Sequence, residues 1–429
     1  MKRKFTSYPV HNFTETKTQM LNWANEFGVF CFLDNNKYNF SAPSFECLLA
    51  AGTLTILESS AGKAFNSLQQ FKQKNDDWLF GHLSYDLKNE IENLSSANID
   101  KVKFPDIFFF VPQVLLLLSD NELKIGVIDF DADKIFDAIS SSPKNITPGE
   151  MKVTDIKSRF TREEYFSCLD QLHKHIVRGD CYEVNFCQEF FADNAIIDPL
   201  YVYHELGQLS PNPFSAFYKV EGKYLLCASP ERYLKKTGNK IYSQPIKGTA
   251  KRELNNSFED ENNKRNLLSS TKERSENVMV VDLVRNDLSK VCIEGSVKVE
   301  ELFGVYSFPQ VHQMISTVSG DLKNNGDDFT HIFRATFPMG SMTGAPKKRV
   351  MEIIELYEKT KRGIFSGALG YITPEGDFDF NVVIRSIIYN AAGKYLSIQA
   401  GSAITFNSNA EKEYEECLLK IEAMKKALQ

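Results

Sequence analysis

The residues able to do polar chemistry fall in a few short runs. Lys247 lies in Pro245-Ile246-Lys247-Gly248-Thr249, where Pro and Gly mark a break in regular structure. Gly248 lets backbone N–H groups approach a ligand closely, and Thr249 adds a hydroxyl, so an anion there meets N–H, O–H and N⁺–H donors together. A solvated lysine on a surface turn is the plain alternative. Sixteen residues earlier, in Ser229-Pro230-Glu231-Arg232, Glu231 leaves the end of a strand at an angle that Pro230 fixes. Glu273 and Glu276 sit one turn apart on one helix face, and Glu413, Glu416 and Lys420 repeat that spacing on the last helix. Carboxylate pairs from two helices can converge on one hard cation, and oxygen-only ligands suit magnesium; each pair alone reads equally as a solvated face.

Thr343-Gly344-Ala345 precedes Pro346, which fits the first turn of a helix running to about Lys359. Free N–H groups and a hydroxyl there would make a carboxylate or phosphate seat, although the glycine spacing is not that of a Walker loop. Arg385 stands among Val382, Val383, Ile384 and Ile387 in a run that alternates as one strand from Phe378 to Tyr389. An arginine in so apolar a strand needs an anion, either an Asp or Glu of the core or a substrate carboxylate gripped by both arms of the guanidinium. Gln399-Ala400-Gly401-Ser402-Ala403 makes a second turn of close approach.

Local signals supply the elements that must position these groups. Thr161 and Glu164 form a capping box that opens a helix through Ile176, which stops at Gly179-Asp180. Strands are expected at Cys181–Gln188, Phe217–Val220 and Tyr224–Ala228, whereas Lys251–Ser270 is polar and Asn-rich and reads as mobile. Val280 and Leu283 turn the Glu273 helix inward. In the first part of the chain, strands are expected at Phe27–Leu33, Thr53–Glu58, Trp78–Tyr85 and within Pro105–Leu118, with Leu123–Ile128 as a hairpin partner and a helix at Ala61–Lys74. Ser140–Pro148 reads as a linker. The expected division is therefore 1–155, a packing or regulatory region without catalytic residues, and 156–429, a catalytic region.

The 429 residues are 42% hydrophobic and 25% charged, an ordinary globular balance. A net charge of −6 argues against nucleic acid. No apolar run approaches the ~20 residues of a membrane span, and no signal-peptide core follows the basic start, so a cytoplasmic protein is expected. The eight cysteines lie singly, without CxxC spacing, and His173 and His175 point to different helix faces, so neither a disulfide framework nor a zinc site is expected.

The order of these segments resembles component I of the chorismate-utilising enzymes: anthranilate, aminodeoxychorismate, isochorismate and salicylate synthases. The matching runs are Gly179–Phe190, Ala228–Leu234, Pro245–Thr249, Lys272–Leu288, Phe337–Met351, Arg362–Tyr371, Val382–Ile387, Gln399–Ser402 and Glu413–Lys420. Each alone is weak; all of them in order are specific. The resemblance implies an α+β fold of large antiparallel sheets packed face to face and flanked by helices. It implies magnesium held by Glu276 and Glu416, with Glu273 and Glu413 beside them or in the water shell. Arg385, Gly401 and Lys420 would hold the pyruvyl carboxylate, Gly248, Thr249 and Thr343 the ring side, and Glu231 would be the acid that helps the ring hydroxyl leave.

Two positions separate the subfamilies. Isochorismate and salicylate synthases carry a lysine base where this chain has Glu183, which disfavours attack by water. Anthranilate synthases usually have Ala where this chain has Lys247, and the lysine resembles aminodeoxychorismate synthase. That resemblance implies attack of Lys247, deprotonated by burial, on C2 of chorismate, then addition of ammonia at C4 to give 4-amino-4-deoxychorismate, the precursor of 4-aminobenzoate and folate. Anthranilate synthase, of tryptophan synthesis, is the alternative. Phe365 and Gln313 depart from the Tyr and His common in the family. No Gly-x-Cys-x-Gly elbow with a later His-x-Glu occurs, so ammonia is expected from a glutamine amidotransferase subunit in a heterodimer.

Overall fold

The strand Val29–Asp34 shows how the architecture arises. Successive side chains of a strand point to opposite faces. Val29 and Cys31 enter one apolar core, and Phe30 and Phe32 enter another. Lys223–Ser229 divides the same way, with Leu225 and Cys227 on one side and Leu226 and Ala228 on the other. A sheet apolar on both faces must be covered on both. In the computed structural model, which describes residues 2–38, 45–153, 155–308, 311–323 and 328–429, one face meets a second sheet. The other is covered by the helices Phe13–Asn25, Pro199–Leu209 and Ala410–Lys426.

Among the described residues the first sheet has twelve strands and the second ten, with antiparallel pairing between neighbours. The middle of the first sheet runs Val29–Asp34, Phe214–Val220, Lys223–Ser229, Ser386–Asn390, Tyr395–Ile404 and Glu183–Ala192. The second runs from Ile246–Lys251 through Val311–Asp321, Lys240–Gln244, Arg232–Thr237, Phe378–Val382 and Ala368–Ile372 to Leu79–Leu83, Ile107–Val111 and Thr55–Ser59. The expected fold class is the one observed. The regions 1–155 and 156–429 interleave, since each sheet takes strands from both, so residue 155 marks a boundary in the sequence and not between two cores. No described helix is long and apolar enough to cross a membrane.

Four strands change sheets without a long connection. Cys47–Ala51 passes to the other sheet as Thr55–Ser59 through Gly52, and Ile107–Val111 passes as Val114–Ser119 through Pro112 and Gln113. Lys223–Ser229 becomes Arg232–Thr237 through Pro230 and Glu231. Phe378–Val382 becomes Ser386–Asn390 through Val383, Ile384 and Arg385. The expected single strand Phe378–Tyr389 is thus two strands in two sheets. The last two crossings lie side by side, joined by Val382 N–H donating to Glu231 O (3.0 Å) and Ala228 N–H donating to Arg385 O (3.1 Å).

Two further expectations are corrected. Lys247 does not lie in a turn. Lys240–Gln244 and Ile246–Lys251 run in tandem along Val311–Asp321, and the register slips between Ile246 and Thr249. Lys247 and Gly248, the latter at φ +98, therefore form a bulge in a strand, a feature that re-aims a side chain. The polar stretch after it holds a helix, Ser257–Ser269, whose first turn Asn256 caps. The capped helix at Thr161 is found as Arg162–Arg178, closed by Gly179 at φ +87.

Beside the paired crossings, Arg232 is completely buried. It donates to Asp379 through Nε and Nη2, both at 2.9 Å, and to Gln244 Oε1 at 2.6 Å. Removing one partner of such a pair leaves an uncompensated buried charge. Asp379→Ala should therefore cost ~3–5 kcal/mol and shift the urea midpoint strongly downward. A loss under ~1 kcal/mol would show that the pair does not hold this joint.

Candidate active site

The paired crossings, the bulge and two helices surround a cleft of about 990 Å³. Glu231 and Arg385 enter it from the crossings, and Lys247, Gly248 and Thr249 from the bulge. Glu273 and Glu276 come from helix Thr271–Ser289, and Glu413, Glu416 and Lys420 from helix Ala410–Lys426. Gly401 comes from Tyr395–Ile404, where a Cβ would stand 2.3 Å from the carbonyl oxygen of Phe186 on the paired strand. Eleven of the twelve expected residues line this cleft.

Thr343 is the exception. It is buried, and its hydroxyl turns back toward the carbonyls of Met339 and Gly340. The expected anion seat does not open onto the cleft: Gly344–Ala345 pairs as a short strand with Glu183–Val184, and neither residue is part of the cleft lining. Gly344, at φ +140, has no room for a Cβ, which would stand 2.1 Å from Glu183 O. Ser341, two residues earlier, takes the cleft position instead and donates to Glu231 Oε1 at 2.6 Å.

Burial pushes the Glu231 carboxyl up to about 7, against the Ser341 hydrogen bond and the charge of Lys247. A carboxyl so placed carries its proton near neutrality and can donate it. Lys247 differs from expectation. Burial alone would lower its pKa, but Nζ donates to Glu183 Oε1 at 2.9 Å, and the charges of Glu183, Glu276 and Glu416 more than reverse the effect. Lys247 rests as an ammonium. Among the described residues Arg385, at φ +53, meets no Asp or Glu within ion-pairing distance, and its side chain has no hydrogen-bond partner. Burial lowers its pKa while the charge of Glu416 opposes. Of the two partners left open by the sequence, no core carboxylate pairs with it among the described residues.

The four glutamates face one another without forming a ready coordination group, and no cluster of three or more metal-ligating side chains occurs among the described residues. Lys272 spans them, its Nζ 3.8 Å from Glu276 Oε1 and 3.6 Å from Glu413 Oε1. Burial raises Glu276 to about 7, and its Oε1 is buried without a hydrogen bond. Lys420 donates to Gly401 O and pairs with Glu416 Oε1, both at 2.6 Å. Oxygen-only donors and an orphaned carboxylate oxygen fit a hard cation.

Asn277, on the Glu276 helix, accepts from Ser316 at 2.6 Å and reaches the Lys247 carbonyl at 3.5 Å, tying helix to bulge. Neither Asn277 nor Ser341 carried a signal beyond its neighbourhood in the sequence; Lys272, four residues before Glu276, did. Phe365 and Gln313 both line the cleft, and Gln313 Oε1 is buried without a partner. His173 and His175 lie outside the cleft, and His175 bonds Asp180 and Tyr357.

The family model described as chorismate binding enzyme matches residues 30–426. The chain is 32% identical over 363 residues to aminodeoxychorismate synthase component 1 of Bacillus subtilis, covering 81% of this chain and 76% of that protein. It is 34% identical over 350 residues to the protein of the same name in Escherichia coli, with the same coverage. It is also 33% identical over 353 residues to anthranilate synthase component 1 of Saccharolobus solfataricus, covering 82% and 80%. Among solved structures, anthranilate synthase component I of Streptococcus pneumoniae superposes with a TM-score of 0.77 at 23% identity, covering 90% of this chain and 94% of that one. The menaquinone-specific isochorismate synthase MenF of Escherichia coli gives 0.79 at 16%, covering 100% and 95%. These two likenesses are of fold.

The raised carboxyl of Glu231 has a consequence for stability. The native state binds this proton more tightly than the unfolded chain, so stability is greatest below about 4.5 and is lost as pH rises through about 7. Glu276 acts in the same window. Glu231→Gln should remove one share, at most ~3 kcal/mol, and flatten the decline relative to the parent chain. Parallel urea-midpoint curves from pH 4.5 to 7.5 for the two proteins would contradict the assignment.

Proposed function

The chain belongs to the family of chorismate binding enzymes, and on that premise we propose that it converts chorismate and ammonia to 4-amino-4-deoxychorismate. One observation carries the reading: a lysine amine, Lys247, enters the same cleft as Glu231, a carboxyl that holds its proton near neutrality. Arg385, whose side chain has no partner among the described residues, takes the pyruvyl carboxylate. The amide and hydroxyl groups of Gly248 and Thr249 take the ring side. Glu276 and Glu416 would hold magnesium, with Glu273 and Glu413 beside them; when bound, it supplies positive charge against a substrate carboxylate.

Lys247 must first lose its proton. The neutral amine then attacks C2 as Glu231 protonates the departing C4 hydroxyl, and ammonia next adds at C4 and expels the lysine. Ammonia comes from a partner component, a glutamine amidotransferase; the relatives' designation as component 1 supports a second component. The second reading is anthranilate synthase, favoured by the relative of that name at nearly equal identity.

The purified chain, chorismate, magnesium and an ammonium salt should yield the mass of aminodeoxychorismate without pyruvate, and Lys247→Ala should lose most of this rate at low ammonia. Anthranilate with pyruvate would install the second reading instead. Arg385→Ala should lower kcat/KM for chorismate by about ten- to a hundredfold, the worth of hydrogen bonds to a charged group. Arg385→Lys should not restore it, because an ammonium cannot grip a carboxylate with two parallel bonds. Full recovery with lysine would refute the two-armed contact.

A further inference from the structure

A nucleophilic amine that rests as an ammonium requires a proton acceptor. Glu183 meets Lys247 Nζ at 2.9 Å, and among the described residues no other side chain forms an ion pair or hydrogen bond with that ammonium. Glu183 is 1% exposed and does not line the cleft, so it stands behind the lysine. Its second oxygen, Oε2, is buried with no hydrogen-bond partner. The backbone holds it firmly: Glu183 pairs with Ala345, Tyr182 N–H donates to Ala345 O, and Asn185 N–H donates to Thr343 O. The remaining charged groups facing Lys247 are Glu231, Glu276, Glu416 and Glu273. Glu231 is occupied as the acid, bonded by Ser341. The other three act only at longer range.

We propose that Glu183 is the positioning residue that takes the Lys247 proton, holds it while the lysine is bonded to substrate, and returns it at the end of each turnover. The inference rests on the covalent reading of Lys247. The protons balance. The ammonium passes one to Glu183, leaving a neutral amine and a carboxylic acid. The N–C2 bond forms as the C4–O bond breaks, and Glu231 supplies the proton with which the hydroxyl leaves as water. Ammonia bonds to C4 as the N–C2 bond breaks, and the new C4 ammonium gives a proton to Glu231. Lys247, expelled as neutral amine, recovers its proton from Glu183. Both carboxyls end as they began.

Glu183→Gln keeps the size of the side chain and removes the acceptor. In the ammonium-dependent assay it should slow turnover at pH 7.5 by about a hundredfold or more, with KM for chorismate within about threefold. The deficit relative to the parent chain should shrink as pH rises toward 9, because solvent base then replaces the missing acceptor. Glu183→Asp keeps a carboxylate and should recover much of the rate without that pH-dependent deficit. Because Glu183 acts through the lysine, adding Glu183→Gln to Lys247→Ala should cost nothing further.

A Glu183→Gln chain as fast as the parent or faster would mean that the carboxylate only locks the lysine in its charged form, and would overturn the proposal. So would a deficit independent of pH, an equal cost in the Lys247→Ala background, or an Asp variant as slow as Gln. If the Gln chain does not fold, the Asp rate and pH profile decide. If the parent yields anthranilate and Lys247→Ala matches it, the functional reading fails; if the parent yields aminodeoxychorismate and Glu183→Gln is not slower, only this inference fails.

Discussion

The site depends on two neighbouring strands leaving one sheet for the other at the same place. A strand inside a sheet sends its side chains to one covered face or the opposite one. At a crossing the alternation breaks, and the residues there can point into neither core. Glu231 and Arg385 occupy the two crossings, and two backbone hydrogen bonds join these segments. The acid and the cation that the cleft needs are thus held by main chain, independently of each other's side chains. The completely buried Arg232, gripping Asp379 and Gln244, anchors one crossing to the second sheet immediately beyond Glu231.

The charges around the cleft are poorly satisfied by one another. Glu183 Oε2, Glu276 Oε1 and Gln313 Oε1 are buried without hydrogen bonds. Among the described residues Arg385 has no ion-pair partner. Burial raises Glu231 and Glu276 to about 7, while Lys420 and burial compete at Glu416, where the lysine's charge prevails. Unpaired buried polar groups are costly, and a structure that retains several in one place stores that cost for a ligand. Arg362 shows the contrast. Buried, it bonds both oxygens of Glu358, the carbonyls of Met342 and Asn185 and the Ser366 hydroxyl, so its donors are taken up in supporting the cleft floor.

What could be read in the sequence was what local spacing encodes. The capping box of Thr161 and Glu164 and the one-turn spacing of Glu273 and Glu276 need only neighbouring residues, and both are found. The fold class and the cleft residues followed from the order of short motifs, with Thr343 misplaced. There Pro346 signalled a helix start correctly, but nothing local reveals that Gly344 and Ala345 pair with Glu183 and Val184 and so stay out of the cleft lining. The crossing at Val383–Arg385 was hidden for a similar reason: its apolar run continues unbroken, and only partners far along the chain show that it serves two sheets.

The charge state of Lys247 was illegible for the deepest reason. Burial of a lysine by itself favours the neutral amine, and the family resemblance implied an amine deprotonated in that way. The opposing charge comes from Glu183, in the other sheet. Glu183 ends a strand of the first sheet and Lys247 bulges from a strand of the second, so their ion pair closes the gap between the sheets behind the cleft. An ammonium stored against a carboxylate is more stable in a low-dielectric site than a bare amine beside four further glutamates. A proton shared across 2.9 Å can move without either sheet moving. The same contact therefore ties the two sheets together behind the cleft and, on the proposed mechanism, leaves the lysine one proton transfer from reactivity.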